Sequence, residues 1–287
     1  MIIAQERMKL LEWYAANGRD LPWRLTRNPW WVLLSEIMLQ QTQVARIEQR
    51  WPEFIERFPT PQACAETPVA ELIGMWSGLG FNRRAVNLHR CATEIESRFG
   101  GDVPSGLADL LSLPGVGPYT ARAVRVFAFD YDDAVLDTNV ARILARQAGR
   151  TLTRPEAQTA ADSSVPEGEG WAWNQAMLDL GAAVCVAKRP MCEVCPIVNG
   201  CRWRGDDVVA DPAKGSAGVS TPQSTFEGSD RQGRGRLVAA LKDGPVDEAD
   251  APKIMGWGDD FDRAERVAAT LLVDGLVVRV ADRYELP

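Results

Sequence analysis

Four cysteines, Cys185, Cys192, Cys195 and Cys201, fall within seventeen residues in "VCVAKRPMCEVCPIVNGCRW", spaced C-x6-C-x2-C-x5-C. Thiolates this dense suit a tetrahedral zinc ion or an iron–sulfur cluster. Structural zinc sites usually present two CxxC-like pairs separated by a longer loop. Here one pair is CxxC and all four cysteines share one compact loop, a spacing that favours a [4Fe–4S] cluster over zinc. Four free thiols are the plain alternative. Within the loop Lys188, Arg189, Arg202 and Arg204 oppose a single acid, Glu193, which makes either a phosphate-facing patch or a solvated loop. Cys64 and Cys91 lie in helical patterns and read as small buried apolar residues.

A second motif is "LSLPGVGPYTARAVRVFAF". One helix ends near Leu113, "PGVG" makes a tight turn, and Pro118 suits the first position of the next helix, where its missing N–H costs nothing. Gly115 and Gly117, on either side of Val116, are expected to allow φ > 0 and close approach of another backbone. The N–H groups at the new helix N-terminus form an anion site. This is a helix-hairpin-helix, which grips DNA phosphates without reading sequence. Asp137 follows in "DDAVLDTNVARILAR", either as a helix cap or as a working carboxylate.

Glu36 sits in the apolar run "NPWWVLLSEIMLQQTQVA". If buried, its pKa rises and it can donate a proton near neutral pH; if it lies on the exposed edge of the helix, it is merely solvated. Gln40, Gln41 and Thr42 follow, placed to enter a base stack or to cap the helix.

The elements that must hold these groups are helices. Apolar residues recur at three-to-four spacing from residue 5 to about 205, with Pro and Gly between the segments. Residues 206–230 are polar, small and aperiodic, and read as a linker. Residues 231–287 offer a helix around "RQGRGRLVAALKD", another around "FDRAERVAATLLVDG", and two short strands joined at Ala281-Asp282, which resemble a winged-helix module. With 46% hydrophobic and 25% charged residues over 287, the chain can bury a core, and no apolar run is long enough for a membrane span. The start reads as an amphipathic helix rather than a secretory signal. The net charge is −7, of which residues 206–262 carry −6, from 12 acidic and 6 basic residues, so the rest is nearly neutral and still able to hold a phosphate backbone.

Taken together, L-P-G-V-G-x-Y-T-A with its downstream Asp, S-E-x-M-L-Q-Q-T and the cysteine loop resemble the helix-hairpin-helix DNA glycosylase superfamily, and within it the MutY-type adenine DNA glycosylases. "LPWR" (21–24), "WSGLGFNRRAVNLH" (76–89) and "NQAMLDLGAAVC" (174–185) extend the resemblance over roughly residues 8–205. The resemblance implies an all-α, two-lobed fold: a six-helix barrel of 23–130, and a lobe of 1–22 with 131–205 that holds one [4Fe–4S] cluster on the four cysteines. A small α/β winged-helix-like module follows.

The resemblance also implies roles. Glu36 matches the general acid that protonates adenine at N7, and Asp137 the carboxylate that stabilises the oxocarbenium-like sugar. Asn139 matches the Asn beside it. Tyr119 stands where bifunctional relatives such as endonuclease III carry a lysine nucleophile, so base excision without strand cleavage is expected. Gln41 and Leu39 match residues that wedge into the duplex once the base flips out. Arg24 and Trp30 match pocket-lining positions, and Gly115, Val116 and Gly117 the phosphate grip. Two departures stand out. Phe81 stands where the family often has the Tyr of a "GLGY" wedge, and the Nudix-like domain expected to inspect 8-oxoguanine is not apparent in the 86 residues after Cys201. The implied partner is double-stranded DNA with a mispaired or damaged base, and the chain is expected to act as a monomer in the cytoplasm, at the nucleoid. The competing expectations are a thymine or uracil glycosylase on the same scaffold, a non-catalytic iron–sulfur DNA-binding protein, and an endonuclease III-type lyase, which Tyr119 opposes.

Overall fold

The three-to-four apolar spacing closes into helices along most of the chain in the computed structural model, which describes residues 4–206, 208–219 and 224–287. In chain order these are α1 (Ala4–Asn17), α2 (Pro29–Leu39), α3 (Val44–Arg57), α4 (Pro61–Ala65), α5 (Val69–Met75), α6 (Arg83–Phe99), α7 (Leu107–Ser112) and α8 (Pro118–Phe129). Then come α9 (Thr138–Ala148), α10 (Arg154–Asp162), α11 (Gly170–Ala183), α12 (Asp230–Ala240), α13 (Ala251–Met255) and α14 (Phe261–Val273). Three short strands, β1 (Val246–Asp247), β2 (Val278–Val280) and β3 (Arg283–Glu285), complete the C-terminal end. The fold is thus all-α with a small α/β appendage. No helix among the described residues is long and apolar enough to cross a membrane.

The chain divides into two compact units. The first comprises the described residues of Met1–Val32, Ser105–Leu111 and Val116–Pro222; the second those of Leu33–Pro104, Ser112–Gly115 and Gln223–Pro287. This differs from the expected lobes. Helix α8 belongs with the first unit because it packs on α11 and because Arg27 donates to the Phe127 carbonyl at 2.9 Å. The C-terminal module belongs with the second unit, where Arg83 pairs with Asp274 at 3.3 Å.

In the first unit α11 packs on both α1 and α9, and α10 on α9. Leu10, Ile143, Trp173 and Leu180 meet in the core. Helix α10 is started by a capping box in which Thr153 and Glu156 satisfy each other's backbone N–H groups. Part of the expected linker docks here. Leu152 N–H donates to Ser216 Oγ at 3.0 Å, the Ala217 N–H returns to the Leu152 carbonyl at 2.9 Å, and Ala213 is buried. Residues 207 and 220–223 of that stretch lie outside the described residues.

In the second unit α4 and α5 pack on α6, and Phe54 meets Trp76 edge-to-face at 5.5 Å. Helices α12, α13 and α14 pack pairwise beside an antiparallel sheet of order β1-β3-β2. The Ala281-Asp282 turn joins β2 to β3 as expected. Strand β1 and helix α13 are additional, at two and five residues too short to carry a periodic signal.

Candidate active site and cysteine centre

Cys185 leaves the C-terminal end of α11, and the chain returns through Cys192, Cys195 and Cys201. All four cysteines line one hollow, together with Ile143, Leu180 and Trp203. Among the described residues no three His, Cys, Asp or Glu side chains close around a single ion. The donor set on this hollow is four thiols, the chemistry that an iron–sulfur cluster or a zinc ion takes. Arg146, almost fully buried, donates to Cys185 Sγ at 3.3 Å and to the Val186 carbonyl at 2.8 Å, and pairs with Asp211 at 2.7 Å. The Arg204 N–H points to Cys201 Sγ at 3.4 Å. A thiolate-holding loop needs such donors. Burial pushes the Cys195 thiol up to about 12.

Asp137 caps α9. Its Oδ1 accepts from the N–H groups of Asn139 and Val140 at 2.8 and 2.7 Å, and its Oδ2 accepts from Asn139 Nδ2 at 2.9 Å. The capping reading of this residue is the one the geometry shows. The protein packed around it lifts its carboxyl above the usual range, against the pull of those three hydrogen bonds. Asn139 Oδ1 in turn accepts from Arg142 at 2.7 Å, and Arg142 also donates to the carbonyls of Gly181 and Cys185, each at 2.7 Å.

Arg24 spends its guanidinium on the fold. It donates to both oxygens of Asp179, at 2.8 and 2.7 Å, and Arg19 joins the same carboxylate. Burial alone would raise the Asp179 carboxyl, but hydrogen bonds from Arg24 and Arg19 hold it below the usual range. Trp30 is buried in α2. Tyr119 is half-buried and lines a separate hollow with Leu111, Arg122 and Leu136. Gly117 takes an extended conformation, φ −93°, as the N-cap of α8. The expected positive φ is absent there, and a Cβ at 117 would meet nothing within 4 Å. The position therefore leaves room for an approaching backbone. Val116 is buried.

The second unit carries the remaining candidates. Glu36 is 5% exposed among Leu33, Leu34, Ile37 and Met38, so the solvated-edge reading is excluded. Gly115 takes φ +79°, and a Cβ on it would come 2.9 Å from the Asn87 Cβ. Gln40 Nε2 donates to its carbonyl at 3.2 Å. Leu39 closes α2. Gln41 and the exposed Phe81 both hold left-handed backbone, φ 55° and 47°, a strain of about 1–3 kcal/mol each for non-glycine residues.

Sequence reading missed what holds those two turns. Arg84, 6% exposed, donates to the carbonyls of Met38 and Gly80 at 2.7 and 2.8 Å and to Thr42 Oγ1 at 2.9 Å. Its place on the apolar stripe of α6, in register with Leu88, Cys91 and Ile95, was the available signal. Asp179 gave the same signal as Glu36, one charge in an apolar helix. Arg142 and Arg146, one turn apart, lie on a helix whose residues from Val140 to Gln147 are all buried.

Residues 34–166 match the HhH-GPD superfamily of base excision DNA repair proteins. The chain is 39% identical to an adenine DNA glycosylase of Mycolicibacterium smegmatis, over 96% of this chain and 93% of that one. It is 36% identical to a thymine-DNA glycosylase of Aeropyrum pernix, over 70% of this chain and 95% of that one. A solved thermostable thymine-DNA glycosylase superposes with a TM-score of 0.67 at 29% identity, covering 69% of this chain and 94% of its own.

Proposed function

This chain is a DNA glycosylase that belongs to the HhH-GPD superfamily of base excision DNA repair proteins, and from that premise we infer that it excises adenine mispaired with 8-oxoguanine or guanine, without cutting the strand. The observation that carries the reading is the likeness to an adenine DNA glycosylase over 96% of the chain, which leaves little of the C-terminal module outside it. The buried Glu36 and the carboxyl of Asp137, held in place as the cap of α9, support it.

In this reading Glu36 donates its proton to N7 of the flipped adenine. The C1′–N9 bond breaks and its electron pair leaves with the base. The carboxylate of Asp137 stabilises the cationic sugar, with Asn139 holding its orientation. Water adds to C1′, and its proton returns to Glu36. Tyr119 offers no amine, so no Schiff base forms. Gln41, Leu39 and Phe81 fill the space left in the stack, Gly115, Val116 and Gly117 hold backbone phosphate, and Trp30 and Arg24 support the base pocket from within α2 and through Asp179. Cys185, Cys192, Cys195 and Cys201 hold one [4Fe–4S] cluster. When bound, it cross-links the loop and supplies a one-electron redox centre. The enzyme works as a monomer on double-stranded DNA at the nucleoid.

The likeness to a thymine-DNA glycosylase favours a second reading, removal of thymine or uracil opposite guanine. End-labelled duplexes carrying A opposite 8-oxoguanine, A opposite G, and T or U opposite G separate the two, with and without alkali after reaction. Alkali-dependent breaks at A that disappear in Glu36→Gln and Asp137→Asn establish the adenine reading. Breaks at T or U, with none at A, replace it.

A further inference from the structure

After its last cysteine the chain stays on the first unit. The Trp203 N–H donates to the Arg146 carbonyl at 3.2 Å, and Trp203 Nε1 donates to the Val209 carbonyl at 3.0 Å. Farther on, Ser216 Oγ accepts from the Leu152 N–H at 3.0 Å and donates to the Pro212 carbonyl at 2.7 Å. The Ala217 N–H returns to the Leu152 carbonyl at 2.9 Å, and Ala213 and Ser216 are both buried. Neutral hydrogen bonds and burial thus tie this strap down on either side of Asp211.

Asp211 adds a charge that those anchors do not use. Its Oδ1 accepts from the Ala213 N–H at 3.0 Å, a local turn that fixes the carboxylate. The same carboxylate takes Arg146 on two prongs, from Nε to Oδ1 at 3.1 Å and from Nη2 to Oδ2 at 2.7 Å. The arginine side chain is 2% exposed and the aspartate 12%. The other N–H groups of the fork point to the cysteine loop. Nη1 donates to Cys185 Sγ at 3.3 Å and to the Val186 carbonyl at 2.8 Å, and Nη2 to the Ala187 carbonyl at 3.2 Å. A bidentate pair fixes the plane of a guanidinium as well as its place. Asp211 therefore sets the direction of the N–H that meets the first cysteine.

We propose that Asp211 is a positioning residue of the cysteine centre: brought in by the strap after the last cysteine, it aims Arg146 at Cys185 Sγ and so slows the loss of the metal group that the four thiols hold. The inference rests on the reading of those thiols as the holders of a [4Fe–4S] cluster. It makes the segment at 203–217 a working part of that centre rather than a tether to the C-terminal module.

The purified holoprotein is challenged with excess EDTA in air. Metal loss is followed by the visible absorbance band and by elemental analysis after gel filtration. Asp211→Asn releases its metal about 10-fold faster than wild type, and Asp211→Glu, which keeps the charge, recovers most of that loss. Asp206→Asn, in the same strap but at a carboxylate that accepts from the Val208 N–H, releases at the wild-type rate. Arg146→Gln is at least as fast as Asp211→Asn, and adding Asp211→Asn to it changes the rate by less than about two-fold, because the pair acts as one. Wild-type release from Asp211→Asn overturns the proposal, as do additive effects in the double variant. Should Arg146→Gln purify without metal, Asp211→Glu decides alone: release as fast as from Asp211→Asn overturns the proposal. Elemental analysis of the wild type keeps the two readings apart. Zinc in place of iron removes the cluster reading, and the release rates still decide the role of Asp211. Iron in the wild type with unchanged release from Asp211→Asn keeps the cluster and removes the positioning role.

Discussion

Gly181 on α11 lies so close to Asn139 on α9 that a Cβ at 181 would come within 2.5 Å of the Asn139 Cβ. The carboxamide that orients Asp137 is therefore set by how tightly the two helices meet. Gly181→Ala must push them apart. Overpacking of this kind costs about 1–3 kcal/mol, read as a lower urea midpoint. Single-turnover excision should slow with it, because Asn139 then loses register with Asp137. Wild-type stability in this variant would show that the contact relaxes without cost.

Asp179→Asn should be more damaging. It leaves two guanidinium groups facing a neutral amide, with Arg24 almost wholly inside the protein. Breaking a buried pair in this way costs about 3–5 kcal/mol. The effect has a pH signature. The folded carboxyl titrates below its unfolded value of about 3.9, so its contribution is complete above that value and fades as pH falls through the folded pKa. The stability gap between wild type and variant should be flat from pH 6 to 8 and narrow below about pH 4. A gap that widens in acid would refute the assignment.

Cys195→Ser tests the cluster independently of catalysis. The purified wild type should be brown with a broad visible absorbance band, and the variant should lose most of the colour and iron and melt at lower temperature. A colourless wild type containing one zinc ion per chain would replace the cluster with zinc.

Arg84→Lys should fail to substitute for arginine. One ammonium cannot span the carbonyls of Met38 and Gly80 together with the Thr42 hydroxyl, which the planar fork reaches at once. A loss of about 2 kcal/mol or more in unfolding free energy is expected, since buried acceptors are left unmet, and binding to a duplex with an unpaired base should weaken as the turns at Gln41 and Phe81 loosen. A fully stable lysine variant would mean that water takes over those carbonyls.

Local features were legible in the sequence. The turn at Gly115, the helix start at Pro118, the C-terminal hairpin and the gathering of the four cysteines each depend on residues near one another in the chain. What escaped was long-range pairing. Arg24 and Asp179 are 155 positions apart, and nothing in "LPWR" announces which carboxylate will absorb its charge. Asp211 and Ser216 read as linker because they lack periodicity, yet a segment without periodicity can dock through a few hydrogen bonds. Gly117 looked like a positive-φ glycine because it sits in a Gly-x-Gly turn; in the structure the absence of a Cβ matters there more than the dihedral.

Glu6, buried near the start of α1, accepts a hydrogen bond from the Gly200 N–H, 194 residues later and between the last two cysteines. This contact imposes an order on biogenesis. At about 5–20 residues per second, a ribosome that has finished α1 must run for on the order of ten seconds or more before the loop that Glu6 latches exists. Helix α1 also has to wait for α11. The N-terminal segment thus spends translation without its partners, and the cysteine loop cannot be clasped until nearly all of the first unit has been made. Closure of the cysteine loop is consequently a late event in the life of the nascent chain, and a chain stalled before residue 200 would carry three of the four thiols with no latch to close over them.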